Sequence, residues 1–105
     1  MPYQLTLPKT IDICGRKFKI IRNRGMSGAS FHVQERWIRI SEGRTKEEEI
    51  EWLIHEIVEI LLCIHDCRYQ SEYADNNPLF VFTHQQFEHI FTDLVPILGN
   101  LKKYL

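Results

Sequence analysis

The sequence predicts an α+β domain, a small, mostly antiparallel N-terminal sheet followed by a motif-bearing helix and a second packed helix. Three observations predict it. Apolar residues alternate with polar ones at a period of two through the first forty positions, the period changes to about 3.6 from Thr45 onward, and each helical segment opens on a capping box. The 105 residues contain no repeat, low-complexity stretch or linker and read as a single domain, 1–105. A chain of this length buries about 65% of the surface that its unfolded form exposes, enough for a real core. Its 44% hydrophobic and 26% charged content is that of a globular protein and excludes a disordered tail, a collagen-like repeat and a disulfide-dense scaffold.

The elements follow in order. Thr10 to Ile13 and Lys17 to Arg22 flank Cys14-Gly15-Arg16, and both arms alternate, which predicts a hairpin. The stretch from Asn23 to Ser30 has two glycines three apart but neither the spacing nor the lysine of a phosphate-binding loop, and reads as a plain connection. Phe31 to Gln34 and Trp37 to Ser41 are two further strands around Glu35-Arg36. Thr45 then caps a helix with Glu48 reaching back, and Glu47, Glu48 and Glu49 place negative charge at the positive end of its dipole. This helix runs to about His65. Arg68 to Pro78 is irregular and ends in the turn Asp75-Asn76-Asn77-Pro78, after which Leu79 to Phe82 is short and strand-like. Thr83 to Gln86 is the second capping box; the helix it opens carries Phe87, Ile90, Phe91, Leu94 and Leu98 on one face, with Pro96 kinking or ending it near Val95. The expected core joins Leu53, Ile57, Ile60 and Ile64 to Phe87, Phe91 and Leu94.

Charge and cysteine usage narrow the function classes. Thirteen basic against fourteen acidic residues leave a formal charge of −1, so neither nucleic acid nor an anionic membrane is an expected partner. The strongly apolar stretch from Ile57 to Ile64 contains Glu59 and is far short of the roughly 20 residues that cross a bilayer. The N-terminus lacks a basic region followed by an apolar run, which makes the cytoplasm the expected location. Three cysteines cannot all pair within the chain, and Cys63 and Cys67, four apart on a helix, are poorly placed for a disulfide, so all three read as reduced thiols. A metal site from Cys63, His65 and Cys67 is disfavoured because His65 points away from both sulfurs on a helix.

On the first helix, Ile50, Leu53, Ile54, Ile57, Ile60, Leu61 and Ile64 fill one broad arc, and His55 and Glu59 fall outside it. Being four apart, these two project one turn above the other, flanked by Trp52 and Leu62. The string from His55 to Glu59 is HExxE. A histidine and a carboxylate at this spacing supply two ligands to one Zn²⁺ at about 2.0 to 2.2 Å, and Glu56 stands where the HExxH zinc hydrolases keep the glutamate that takes a proton from water. The alternative is that all three are the wet side of an amphipathic helix. A third ligand would decide: His84 falls within the apolar arc of the second helix and is the expected one, His32 is the reserve, and His89 faces the opposite way. His84 has its own alternative, a histidine half-buried beside Phe82 and Phe87.

With these residues in place the chain resembles the minimal zincin domain, the HExxH metallopeptidase core of small phage and bacterial proteins related to the gluzincins. The resemblance spans about Lys9 to Leu101 and rests on the capped helix Thr-Lys-Glu-Glu-Glu leading into Leu-Ile-His-Glu-Ile-x-Glu, with its specific motif confined to five residues, His55 to Glu59. It implies that His55 is the first zinc ligand and Glu56 the general base, while Glu59 stands where the family has histidine. Gluzincin-like sites take two histidines from the motif and a glutamate from the next helix, so His84 downstream would restore two imidazoles and one carboxylate. Glu88 is the competing downstream ligand, although one histidine with two glutamates suits harder metals. The resemblance thus implies a zinc-dependent peptidase acting on a peptide or protein. It assigns no oxyanion donor; Tyr69 and Tyr73 are candidates by their place in the loop between the helices, where tyrosines more often merely cover an apolar edge, and Trp37 to Ser41 is a strand that could hold an extended substrate. Two alternatives stay open: a catalytically inactive protein-binding module with a structural metal or none, and a metal-free core. Nothing in the sequence sets the substrate or the oligomeric state.

Overall fold

Residues 7–24, 28–43, 45–69 and 79–105 are described by a computed structural model of the chain. Strands β1 (Thr10–Ile13) and β2 (Arg16–Asn23) form the expected antiparallel hairpin, with Ile13 opposite Arg16. Cys14 and Gly15 between them have φ of 52° and 78°, the two positive values that a two-residue type I′ turn requires. Strands β3 (Ala29–His32) and β4 (Trp37–Ser41) form a second antiparallel hairpin, closed by residues 33–36 with Arg36 at φ 60°. Gln34, expected at the end of a strand, belongs to that turn.

The sheet order is β1-β2-β4-β3. Two of its three pairings are antiparallel, but β2 and β4 run parallel, from Lys19 opposite Trp37 to Asn23 opposite Ser41. Strand β4 is therefore interior, which corrects its expected role as a substrate-accepting edge. The edges are β1 and β3.

Helix α1 (Lys46–Ile64) begins at Thr45, whose side chain accepts a hydrogen bond from the Glu48 amide at 3.2 Å. It ends in a Schellman motif: the Cys67 amide donates to the Leu62 carbonyl at 2.7 Å and the Asp66 amide to that of Cys63 at 3.1 Å, with Asp66 at φ 58°. Cys67 thus lies beyond the helix, and all three cysteines are free. Leu53, Ile57, Ile60 and Leu61 bury themselves against Ile11, Ile13, Phe18, Ile38 and Ile40 of the sheet. Glu49 is buried as well, which its reading as an N-terminal dipole stabiliser did not anticipate. Its carboxylate accepts two hydrogen bonds from Arg22 of β2, Nε at 2.6 Å and Nη2 at 2.9 Å, and so pins the start of α1 to the sheet.

Beyond α1, β5 (Arg68–Tyr69) pairs antiparallel with β6 (Leu79–Phe80), so the segment read as wholly irregular contains a strand. Helix α2 (His84–Leu101) opens on the complete capping box of Thr83 and Gln86. It continues through Pro96, against expectation. Proline there removes one intrahelical bond, the one that would have reached the Thr92 carbonyl; burial of Ile97 and Leu101 beyond it offsets that loss. The packed face also differs from expectation. Ile90, Ile97 and Leu101 are buried and Leu94 packs beside them, whereas Phe87 and Phe91 are exposed. At 100° per residue Ile90, Leu94, Ile97 and Leu101 form one seam and Phe87, Phe91, Val95 and Leu98 a second, roughly 85° away. The sheet and α1 take only the first.

No helix among the described residues is long and apolar enough to cross a membrane.

Candidate metal centre

Because α1 lays its apolar arc on the sheet, the edge of that arc is carried along β3. Glu49 and Glu56, two turns apart on that edge, are buried, Glu56 to 5% exposure. One step further round, Glu59 is half-buried and His55 reaches solvent, its side chain 67% exposed. The one-turn spacing brings His55 Nε2 to 3.1 Å from Glu59 Oε2. Donor atoms of His55, Glu56 and Glu59 all lie within 4.8 Å of one another.

Glu56 and Glu59 open into a cleft of about 270 Å³ whose other walls are Ala29, Ser30 and Phe31 of the edge strand and Arg68 of β5. Arg68 Nε donates to Glu59 Oε1 at 3.3 Å, and its guanidinium lies 5.6 Å from the centre of the Phe31 ring. Glu59 thus joins two cations or potential cations, one on each oxygen. Burial pushes the Glu56 carboxyl above the usual glutamate range, and the negative charge of Glu59 raises it further; His55 and Arg68 oppose the rise. The arrangement places a buried carboxyl of raised pKa deep in the cleft with a nitrogen and a second carboxylate at its mouth.

The expected third ligand stands apart. His84 is at the first turn of α2 with its side chain 83% exposed, its Nδ1 3.4 Å from Glu88 Oε1 and its ring against Phe87. The expectation failed because it assumed that α2 packs through the Phe87–Phe91 seam, and the Ile90–Leu101 seam turns His84 outward. Glu88 goes with it. His32 is also occupied elsewhere: its Nδ1 accepts from the Glu35 amide at 3.0 Å in the β3–β4 turn. His65 pairs with Asp93 of α2 at 2.5 Å. The side chain of Tyr69 and all of Tyr73 lie outside the described residues. Sequence reasoning missed Arg68, whose only signal was its place just past the helix, and the burial of Glu56, which was legible in its place three residues after Leu53 and four before Ile60, at the edge of the apolar arc.

Comparison with family models, curated proteins and solved structures finds no match to this chain. The zincin resemblance therefore rests on its own residues.

Proposed function

We propose that His55 and Glu59 hold a divalent metal ion and that the domain is a zincin-like hydrolase acting on a peptide or protein, with Glu56 beside them as its proton acceptor. The observation that carries this is the convergence of the three donor sets beside a cleft walled by an edge strand. The spacing fits two ligands on one ion: ligands about 2.1 Å from a tetrahedral zinc stand about 3.4 Å apart, close to the His55–Glu59 separation of 3.1 Å, and with His84 turned away the remaining positions would fall to solvent. When bound, zinc lowers the pKa of a water toward about 7 and polarises a carbonyl.

The protein's own groups would do the rest. His55 and Glu59 hold the ion, and Glu56, the most buried of the three, receives a proton on its carboxylate and delivers it to the leaving amine. A raised pKa suits that exchange, because a base that titrates nearer the working pH both takes and returns protons. Among the described residues no strand pairs with the outer edge of β3, and it would take an extended chain by adding a strand across Ala29, Ser30 and Phe31, in place of the β4 strand the sequence suggested.

A second reading draws on Arg68. With His55 on one oxygen of Glu59 and Arg68 on the other, the cluster is already an ion-pair network, as a non-catalytic binding module with a structural metal or none would have. Glu56→Gln separates the two. An enzyme retains its zinc and loses hydrolysis of an unfolded-peptide library by a factor on the order of 10² to 10⁴. A variant that cleaves as the wild type does, or a wild type that cleaves nothing while loaded with zinc, refutes the hydrolase.

A further inference from the structure

Among the described residues nothing covers a continuous apolar stripe along α2. Phe82 stacks on Phe87 at 5.9 Å between ring centres and Phe87 meets Phe91 at 4.8 Å, with Val95 one turn further on and Phe80 at the β6 end. These five side chains are between 41% and 65% exposed. Phenylalanines this bare are unusual, since an aromatic side chain removes about 150–250 Å² from water when covered. We infer that this stripe is the contact between two copies of the chain, joined about a two-fold axis through α2.

Area supports that occupant. From those exposures the five residues bare about 450 Å², the size of the largest apolar patch on an ordinary monomer, which is often a functional one. Two such stripes face to face, with the polar rim that makes homodimer contacts about 65% apolar, correspond to about 1,400 Å² of total buried surface. Stable complexes bury about 1,200–2,000 Å². A two-fold axis needs only this one surface, because the same residues serve both sides, and it closes without leaving a stripe exposed to recruit further copies.

Charge argues against the other occupants. The 18 residues of α2 contain no lysine or arginine. Its only carboxylates are Glu88 and Asp93, the latter engaged by His65. An interfacial membrane helix flanks its apolar face with basic residues that an anionic lipid surface attracts, and a nucleic-acid surface must neutralise phosphates. The stripe offers neither. It excludes charge at its centre, as the core of a protein–protein contact does.

The test is sedimentation equilibrium of the untagged full chain from about 1 to 100 μM, with far-ultraviolet circular dichroism on the same samples. The wild type should sediment as a dimer. Phe91→Glu, and independently Val95→Lys, should raise the dissociation constant at least tenfold while leaving the helical signal intact, because both side chains already meet solvent; should Phe91→Glu fold poorly, Val95→Lys decides. A wild type that is monomeric at 100 μM overturns the inference, whether or not it binds vesicles of anionic lipid. So does a dimer that persists in Val95→Lys, or association that grows beyond two copies. None of these outcomes depends on the metal centre, which lies on α1.

Discussion

Arg22→Met removes the guanidinium that holds Glu49 and leaves the Glu49 carboxylate where its side chain has no solvent contact. Breaking a buried pair costs up to about 3–5 kcal/mol when the remaining charge stays out of water, and less where other groups also hold that charge, as they do for Glu49. Arg22 is itself 34% exposed, so solvent screens part of the interaction and the lower end, about 3 kcal/mol, is expected. For a domain near 100 residues each kcal/mol moves the melting temperature by roughly 4–8 °C, which gives a drop on the order of 12–24 °C. The assay is thermal unfolding by circular dichroism at neutral pH, with Arg24→Met as the control. Arg24 also pairs with a carboxylate, Glu42 at 3.1 Å, but its side chain is 89% exposed, and such a pair is worth about 0–1 kcal/mol. If Arg22→Met melts within a few degrees of Arg24→Met, Glu49 is not held as described and the anchoring of α1 to β2 is wrong.

Three further outcomes follow from the packing and the titrating groups. Leu53→Ala, Ile57→Ala and Ile97→Ala should each cost about 2–5 kcal/mol by urea unfolding, the last showing that α2 packs beyond Pro96; a neutral result for any of them misplaces its helix face. In metal-free protein held with a chelator, the raised pKa of Glu56 means that the folded state binds its proton more tightly than the unfolded state, so stability falls as pH rises through that value. Glu56→Gln should therefore melt above wild type at about pH 7–8, with the difference disappearing as pH falls toward the ordinary glutamate value; a pH-independent difference contradicts this. Burial and the adjacent Asp93 carboxylate raise the Cys14 thiol to about 11. At pH 8, iodoacetamide should alkylate Cys14 about a hundredfold more slowly than an ordinary thiol, as read by peptide mapping, and faster in Asp93→Asn.

Much of the fold was legible because it is local. Alternation marked the strands, two capping boxes marked the helices, and the first hairpin was visible in the alternating arms on either side of Cys14-Gly15-Arg16, although Arg16 proved to belong to the second arm and the turn to be two residues long. What the sequence could not supply is non-local. The parallel pairing of β2 with β4 depends on which hairpin inserts beside which, and the exposed Phe87–Phe91 seam depends on how α2 rolls on α1, with both seams equally apolar in sequence. The candidate site divides the same way. His55, Glu56 and Glu59 converge because one helix turn dictates it, whereas His84 required a correct helix–helix orientation and Arg68 required knowing that β5 folds back along α1.

The central claim is that His55 and Glu59 hold a divalent ion. Its most direct test is the zinc content of untagged protein, stripped with chelator, dialysed to equilibrium against buffered zinc and measured by elemental mass spectrometry beside His55→Ala and Glu59→Gln. The account predicts about one zinc per chain in the wild type and its loss in both variants, with circular dichroism showing all three folded. A wild type that retains no zinc, or variants that retain as much as the wild type, would contradict it.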